Sequence, residues 1–291
     1  MDAGSILTAA GVMAGIGILL SLILAIANKK LHVYEDPRID TVDELLPQAN
    51  CGACGVPGCR AFAELVVKGE IAPGKCTVAD PKEIDKIAEF LGVDAGGSDK
   101  KIAYLACAGG SNVARQRATY DGVKTCQAAN LVAGGGKGCS WGCLGLADCE
   151  RVCDFDAISM DENSLPVVDA VKCTACGDCV EICPKGLFSI QPMSHKLWVA
   201  CKNLQANEEA EDECEVACTG CGRCAMDASP GLIDMVNNLA VINFEHNHKA
   251  NENIIQRCPT GAIVWFNKDN TESIKGKNAK KIIRKSSIPM G

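Results

Sequence analysis

Cysteine dominates the chemistry available to this chain. It has 20 cysteines among 291 residues, and most fall in runs whose spacing suits the corners of an iron–sulfur cube. The tightest run is Cys173-x2-Cys176-x2-Cys179-x3-Cys183-Pro184. This is the bacterial ferredoxin pattern for a [4Fe–4S] cluster: three thiolates wrap one cube and the fourth leaves towards a neighbouring one. A looser run precedes it, Cys139-x3-Cys143-x5-Cys149-x3-Cys153. Two such runs in tandem meet the needs of a two-cluster ferredoxin fold. Crossed ligation then groups Cys139, Cys143 and Cys149 with Cys183, and Cys173, Cys176 and Cys179 with Cys153.

A third unit stands upstream, Cys51-x2-Cys54-x4-Cys59-x16-Cys76. Gly52, Gly55 and Gly58 let the backbone curl tightly and aim amides at sulfur. Residues 60–68 have helical periodicity and return the chain so that Cys76 closes one cube without borrowing. A fourth unit, Cys218-x2-Cys221-x2-Cys224, is incomplete as a two-cluster pattern. Ala228 replaces the expected fourth cysteine, and the residues 245–253 (EHNHKANEN) replace the second run. Cys258-Pro259 survives, and crossed ligation assigns Cys258 to the remaining cube with Cys218, Cys221 and Cys224. His246 and His248 then have no ligand role and read as surface loop residues. Four cubes take sixteen of the 20 cysteines and leave two matched pairs, Cys107 with Cys126 and Cys201 with Cys214. Buried free thiols, a disulfide or a further metal site all remain open for these four.

Other uses of so much cysteine fit less well. Disulfide scaffolds belong to short secreted chains and are not built on C-x2-C-x2-C runs. Structural zinc sites pair two C-x2-C knuckles instead. A net charge of −7 and a pI near 5.2 argue against nucleic acid as a partner. The GGGK stretch ending at Lys137 lacks the spacing of a phosphate loop, and no G-x-G-x-x-G fingerprint occurs. The chain therefore reads as binding neither NAD nor flavin and as having no catalytic residue for bond chemistry.

The positioning elements suggest an α+β chain. Residues 5–27 carry no charge, and a helix of that length spans roughly 34 Å, enough for a bilayer core. Asp2 precedes this segment and Lys29-Lys30 follow it, the reverse of a signal peptide's polarity. The positive-inside rule puts the N-terminus outside and the rest in the cytoplasm, where persistent disulfides are disfavoured. The expected divisions are a transmembrane anchor (1–30), a polar linker (31–48) and a single-cluster domain (49–95). A two-cluster ferredoxin-like module (101–194), a degenerate one-cluster copy (195–267) and a frayed basic tail (268–291) follow. Within them, Asp80, Pro81 and Gly92 bracket a capped helix, and KIAYLAC and HKLWVAC read as strands running into Cys107 and Cys201. The acidic run 208–215 reads as a solvated loop, or as steering for a basic partner.

The order of these parts resembles a known family. An anchor, NCGACGVPGC with Cys76, CSWGCLGLADC with Cys153, and CTACGDCVEICP are similar to the B subunits of Rnf complexes. Those complexes are membrane-bound ferredoxin:NAD+ oxidoreductases that pump sodium ions or protons, and the likeness covers essentially the whole chain. It implies an electron-relay subunit of a translocase in the cell membrane, the four [4Fe–4S] clusters being those read from the cysteine runs above. It also implies membrane and peripheral subunits and soluble ferredoxin as partners. A membrane-tethered polyferredoxin serving another redox complex, such as one reducing a redox-sensing regulator, fits the same residues. A cluster-based sensor would need an output module, and none is visible. Two departures stand out: Asp154 follows Cys153 where proline is usual, and the last module keeps one cluster.

Overall fold

The computed structural model describes residues 3–31, 35–97, 99–267, 270 and 272–288. Met1, Asp2, Lys268 and Gly291, which bound the expected anchor and tail, lie outside the described residues, as does part of the linker. Helix α1 (Ala3–Leu31) is apolar over almost its whole length and ends on Lys29 and Lys30. It is long and apolar enough to cross a membrane, and no part of its apolar window is buried against the rest of the chain.

The expected linker contains a helix, α2 (Arg38–Leu45). Its Ile39 and Val42 lie three residues apart on one face, and together with Leu46 they enter a core with Phe62, Ala63, Val66 and Ile87. The polar residues that suggested a linker are its solvent face. Core partners come from α3 (Cys59–Val67) and α4 (Pro81–Leu91). Helix α4 has the expected cap: Asp80 accepts from the Lys82 amide at 2.8 Å, and Glu83 accepts from the Asp80 amide at 3.2 Å. Gly92 ends it at φ 66°. Such a cap contributes about 1 kcal/mol to a helix.

The remaining chain repeats one arrangement. Strand β1 (Lys101–Leu105), helices α5 (Cys126–Leu131) and α6 (Asp148–Arg151), and the hairpin β2 (Ile158–Met160) and β3 (Pro166–Val168) come first. Helix α7 (Asp178–Ile182) and β4 (Phe188–Pro192) complete the unit, β4 pairing antiparallel with β1. The copy runs β5 (Leu197–Val199), α8 (Asn207–Glu213), α9 (Arg223–Asp227), hairpin β6 (Ile233–Val236) and β7 (Leu239–Ile242), and β8 (Ile263–Phe266). Here β8 closes on β5 as β4 closes on β1.

The copies share their cores through β5 and β8. Successive strand residues point to opposite faces. Trp198 and Val264 therefore enter the first unit's core, while Leu197, Val199 and Ile263 enter the second. Trp198 also stacks near Tyr104, ring centroids 5.1 Å apart, and its Nε1 donates to the Leu105 carbonyl at 2.9 Å.

The C-terminal segment is not frayed where it is described. Strand β9 (Ser273–Lys275) adds to the free edge of β8. Buried Asn270 donates to the Tyr104 hydroxyl and to the Met193 carbonyl, each at 2.8 Å. Further on, the Ile288 amide donates to the Ser111 carbonyl at 3.0 Å. Satisfying a buried amide in this way holds a lysine-rich segment that its composition alone would leave in solvent.

Candidate metal centres

The cysteines gather around hollows. In the first repeat, Cys153, Cys173, Cys176 and Cys179 line one with Ala103, Ile158 and Ile190. The Ala157 amide donates to Cys153 Sγ at 3.4 Å. Cys179 stands in the first turn of α7, which starts after Gly177 at φ 101°, a conformation glycine adopts without strain.

Cys143, Cys149 and Cys183 line a second hollow, and their fourth companion is Cys126. Cys139 does not join them, in contrast to the spacing-based grouping. The reason is local. Thr125 caps α5 by accepting from the Ala128 amide, and the Gln127 amide donates to Asp148 Oδ2 at 3.2 Å. These bonds clamp the start of α5 onto the start of α6 and set Cys126 beside Cys149. The Leu187 amide donates to Cys183 Sγ at 3.5 Å.

Cys139 lines a different hollow, with Cys107, Cys201 and Cys214. Lys137 borders it, its Nζ donating to the carbonyls of Gly109 and Cys143, each at 2.6 Å. In the second repeat, Cys218, Cys221, Cys224 and Cys258 surround a further hollow. Cys221 is exposed there, unlike buried Cys224 and Cys258. His246 and His248 sit outside it, in a helical turn over Phe244–Lys249. In the N-terminal unit, Cys54, Cys59 and Cys76 pack against the helical core. The Cys59 amide donates to Asn50 Oδ1 at 2.9 Å, and Cys51 opens the same loop.

This donor set fits clusters better than single ions. Zinc bonds sulfur at about 2.3 Å, which brings four sulfurs to about 3.8 Å of one another. Among the described residues, no three His, Cys, Asp or Glu side chains converge for one ion. Burial pushes the thiols of Cys143, Cys149, Cys179, Cys201, Cys214 and Cys224 up to about 12, and neighbouring thiolates add to the shift. Four such groups ionise together only around a cationic core, because metal binding releases their protons.

Cys126 and Lys137 line these hollows, and ferredoxin spacing does not assign either of them. The signal for Cys126 was numerical: the four cysteines left over make one more set of four.

Residues 46–78 match a family model described as "Putative Fe-S cluster", and residues 165–188 match one described as "4Fe-4S binding domain". The chain is 39% identical over 259 residues to the B subunit of the Na(+)-translocating ferredoxin:NAD(+) oxidoreductase complex of Acetobacterium woodii, covering 89% of this chain and 78% of that one. It is 37% identical to the B subunit of the proton-translocating ferredoxin:NAD(+) oxidoreductase complex of Clostridium ljungdahlii, covering 87% and 89%. The B subunit of an ion-translocating oxidoreductase complex of Methanosarcina acetivorans is 35% identical, covering 80% and 89%.

Proposed function

This chain belongs to the B-subunit family of ion-translocating oxidoreductase complexes, and from that premise we propose how its residues serve one. It is an iron–sulfur electron-relay subunit of a membrane-bound ferredoxin:NAD+ oxidoreductase that translocates sodium ions or protons. The observation that carries this reading is the series of four-cysteine hollows on a chain led by an apolar helix. Relatives named for sodium ions and for protons are similarly distant, at 39% and 37% identity, so the likeness favours neither ion.

We assign four [4Fe–4S] sites. Cys51, Cys54, Cys59 and Cys76 form the first, in the helical unit nearest the membrane. Cys126, Cys143, Cys149 and Cys183 form the second, and Cys153, Cys173, Cys176 and Cys179 the third. Cys218, Cys221, Cys224 and Cys258 form the fourth, in a one-cluster copy of the ferredoxin-like module that precedes it. An all-thiolate cube, when bound, exchanges one electron with little change in geometry. The protein's part is to fix the sulfurs, exclude water and tune the charge. Amides such as those of Ala157 and Leu187 donate to ligand sulfur and favour the more negative form. Apolar walls of Leu105, Ile158, Leu187 and Phe188 keep these sites dry.

Lys29 and Lys30 at the end of α1 favour a cytoplasmic face for everything that follows. Soluble ferredoxin and the other subunits then meet the cluster-bearing units on that side. The test is ferredoxin-driven NAD+ reduction by the assembled complex with Cys59→Ala and Cys76→Ala in this chain. Activity falls to background while the complex still assembles; activity that survives overturns the relay role.

A further inference from the structure

We infer that Cys107, Cys139, Cys201 and Cys214 hold a fifth [4Fe–4S] cluster, a bridging site whose ligands come from both repeats. The inference rests on the iron–sulfur reading above and extends it to a set of residues that ferredoxin spacing does not group together and that lie outside the matched family segments.

Four observations converge. All four cysteines line one hollow of about the same size as the other three hollows of the repeats. Each of those three already has four cysteines of its own, and the N-terminal unit has four more, so this set completes the 20. Amides point at its sulfurs as they do elsewhere: those of Asn203 and Cys218 donate to Cys201 Sγ at 3.4 and 3.3 Å, and that of Cys143 donates to Cys107 Sγ at 3.4 Å. Finally, Gly109 lets the backbone come close. A Cβ there would lie 3.0 Å from Cys214 Sγ and 3.7 Å from Cys107 Sγ.

The competing uses fit poorly. A disulfide needs sulfurs about 2.05 Å apart, and all four cysteines are free. A zinc ion needs them within about 4 Å of one another, and the described residues contain no such convergence. Four inert thiols would pack like small hydrophobes and would not call for the amides that donate to Cys107 and Cys201.

Its place in the fold gives the site a role. Cys107 and Cys139 come from the first repeat, and Cys201 and Cys214 from the second. The Cys143 amide that donates to Cys107 belongs to a ligand of the neighbouring hollow on one side. The Cys218 amide that donates to Cys201 belongs to a ligand of the hollow on the other side. The bridging site therefore joins the two repeats' clusters into one row.

The test is iron, acid-labile sulfide and zinc content of the full chain in its complex, purified without oxygen, together with EPR spin integration of the reduced protein. Five cubes give about 20 iron atoms per chain and no stoichiometric zinc, at four irons per cube. Cys107→Ala with Cys214→Ala lowers iron by about one fifth and leaves the other signals in place. A wild-type value near 16 overturns the fifth site and leaves the relay reading standing, as does one zinc beside about 16 irons. Iron near zero sinks the relay reading itself. If the double variant does not fold, the wild-type count decides alone, with alkylation of the native holo chain as a second readout: labelling of Cys107 and Cys214 overturns the site, and their protection supports it.

Discussion

The Thr77 hydroxyl donates to the Thr174 carbonyl at 2.6 Å. Each residue directly follows a cysteine of a different unit, Cys76 in the helical N-terminal unit and Cys173 in the first repeat. The bond thus ties the rims of two candidate cluster sites. Both cysteines also border the crevice between these units, with Ile84, Phe155 and Val171. Lys100 supports the same junction by donating to the Val171 carbonyl at 2.9 Å.

Thr77→Val tests whether this contact sets the spacing of the two sites. The substitution keeps shape and removes the donor, a loss of about 1 kcal/mol. Iron content stays at the wild-type level. The magnetic coupling between the two reduced clusters weakens in EPR, because the units separate more often; coupling of unchanged strength would show that the contact does not hold them.

Lys137 places a cation beside Cys139, Cys143 and Cys214, where its charge opposes the upward push of burial on those thiols. A positive charge favours the more negative, reduced form of a neighbouring cluster. Lys137→Met therefore lowers the reduction potential of the adjacent site, on the order of 50–100 mV. Lys137→Arg keeps most of the wild-type value. Redox titration followed by EPR reads both, and an unchanged potential in the methionine variant excludes the electrostatic role.

Asn270 links the C-terminal segment to the first repeat through Tyr104 and Met193, and its Oδ1 accepts from Lys196 Nζ at 2.8 Å. Asn270→Ala strips three partners from a buried position. We expect a loss of about 2–3 kcal/mol, read as a lower Tm with iron content intact. A Tm within a degree of wild type would mean that β9 alone retains the segment.

Removing residues 1–31 should free the protein from the membrane without unfolding it, since the apolar window of α1 is not buried against the rest of the chain. The truncated chain appears in the soluble fraction with its full iron complement. Aggregation with loss of iron would instead place α1 among the elements that support the fold.

Several features were legible before any coordinates. Asp80, Pro81 and Gly92 fixed both ends of α4, because caps act over three or four residues. The C-x2-C-x2-C runs are equally readable, since cysteines three residues apart in a tight loop have little choice but to face one hollow. Helix α2 was obscured by its charged face, and only the core that receives Val42 identifies it. Asn270 was one polar residue among many until Tyr104 and Met193 enclosed it.

Residue order alone carries the chemistry: the number of thiols, the runs that suit a cube, the apolar segment without charge and the repeat of the strand-and-cysteine pattern. Local geometry carries all of this, because each signal spans a few covalently linked residues. Tertiary structure alone decided which cysteines keep company across long gaps. Cys126 reaches Cys149 because α5 is clamped to α6, and Cys139 is left to face Cys107, Cys201 and Cys214. That last set spans two repeats, and no spacing rule brings them together. What does is the alternation of β5, which sends Trp198 into one core and its neighbours Leu197 and Val199 into the other.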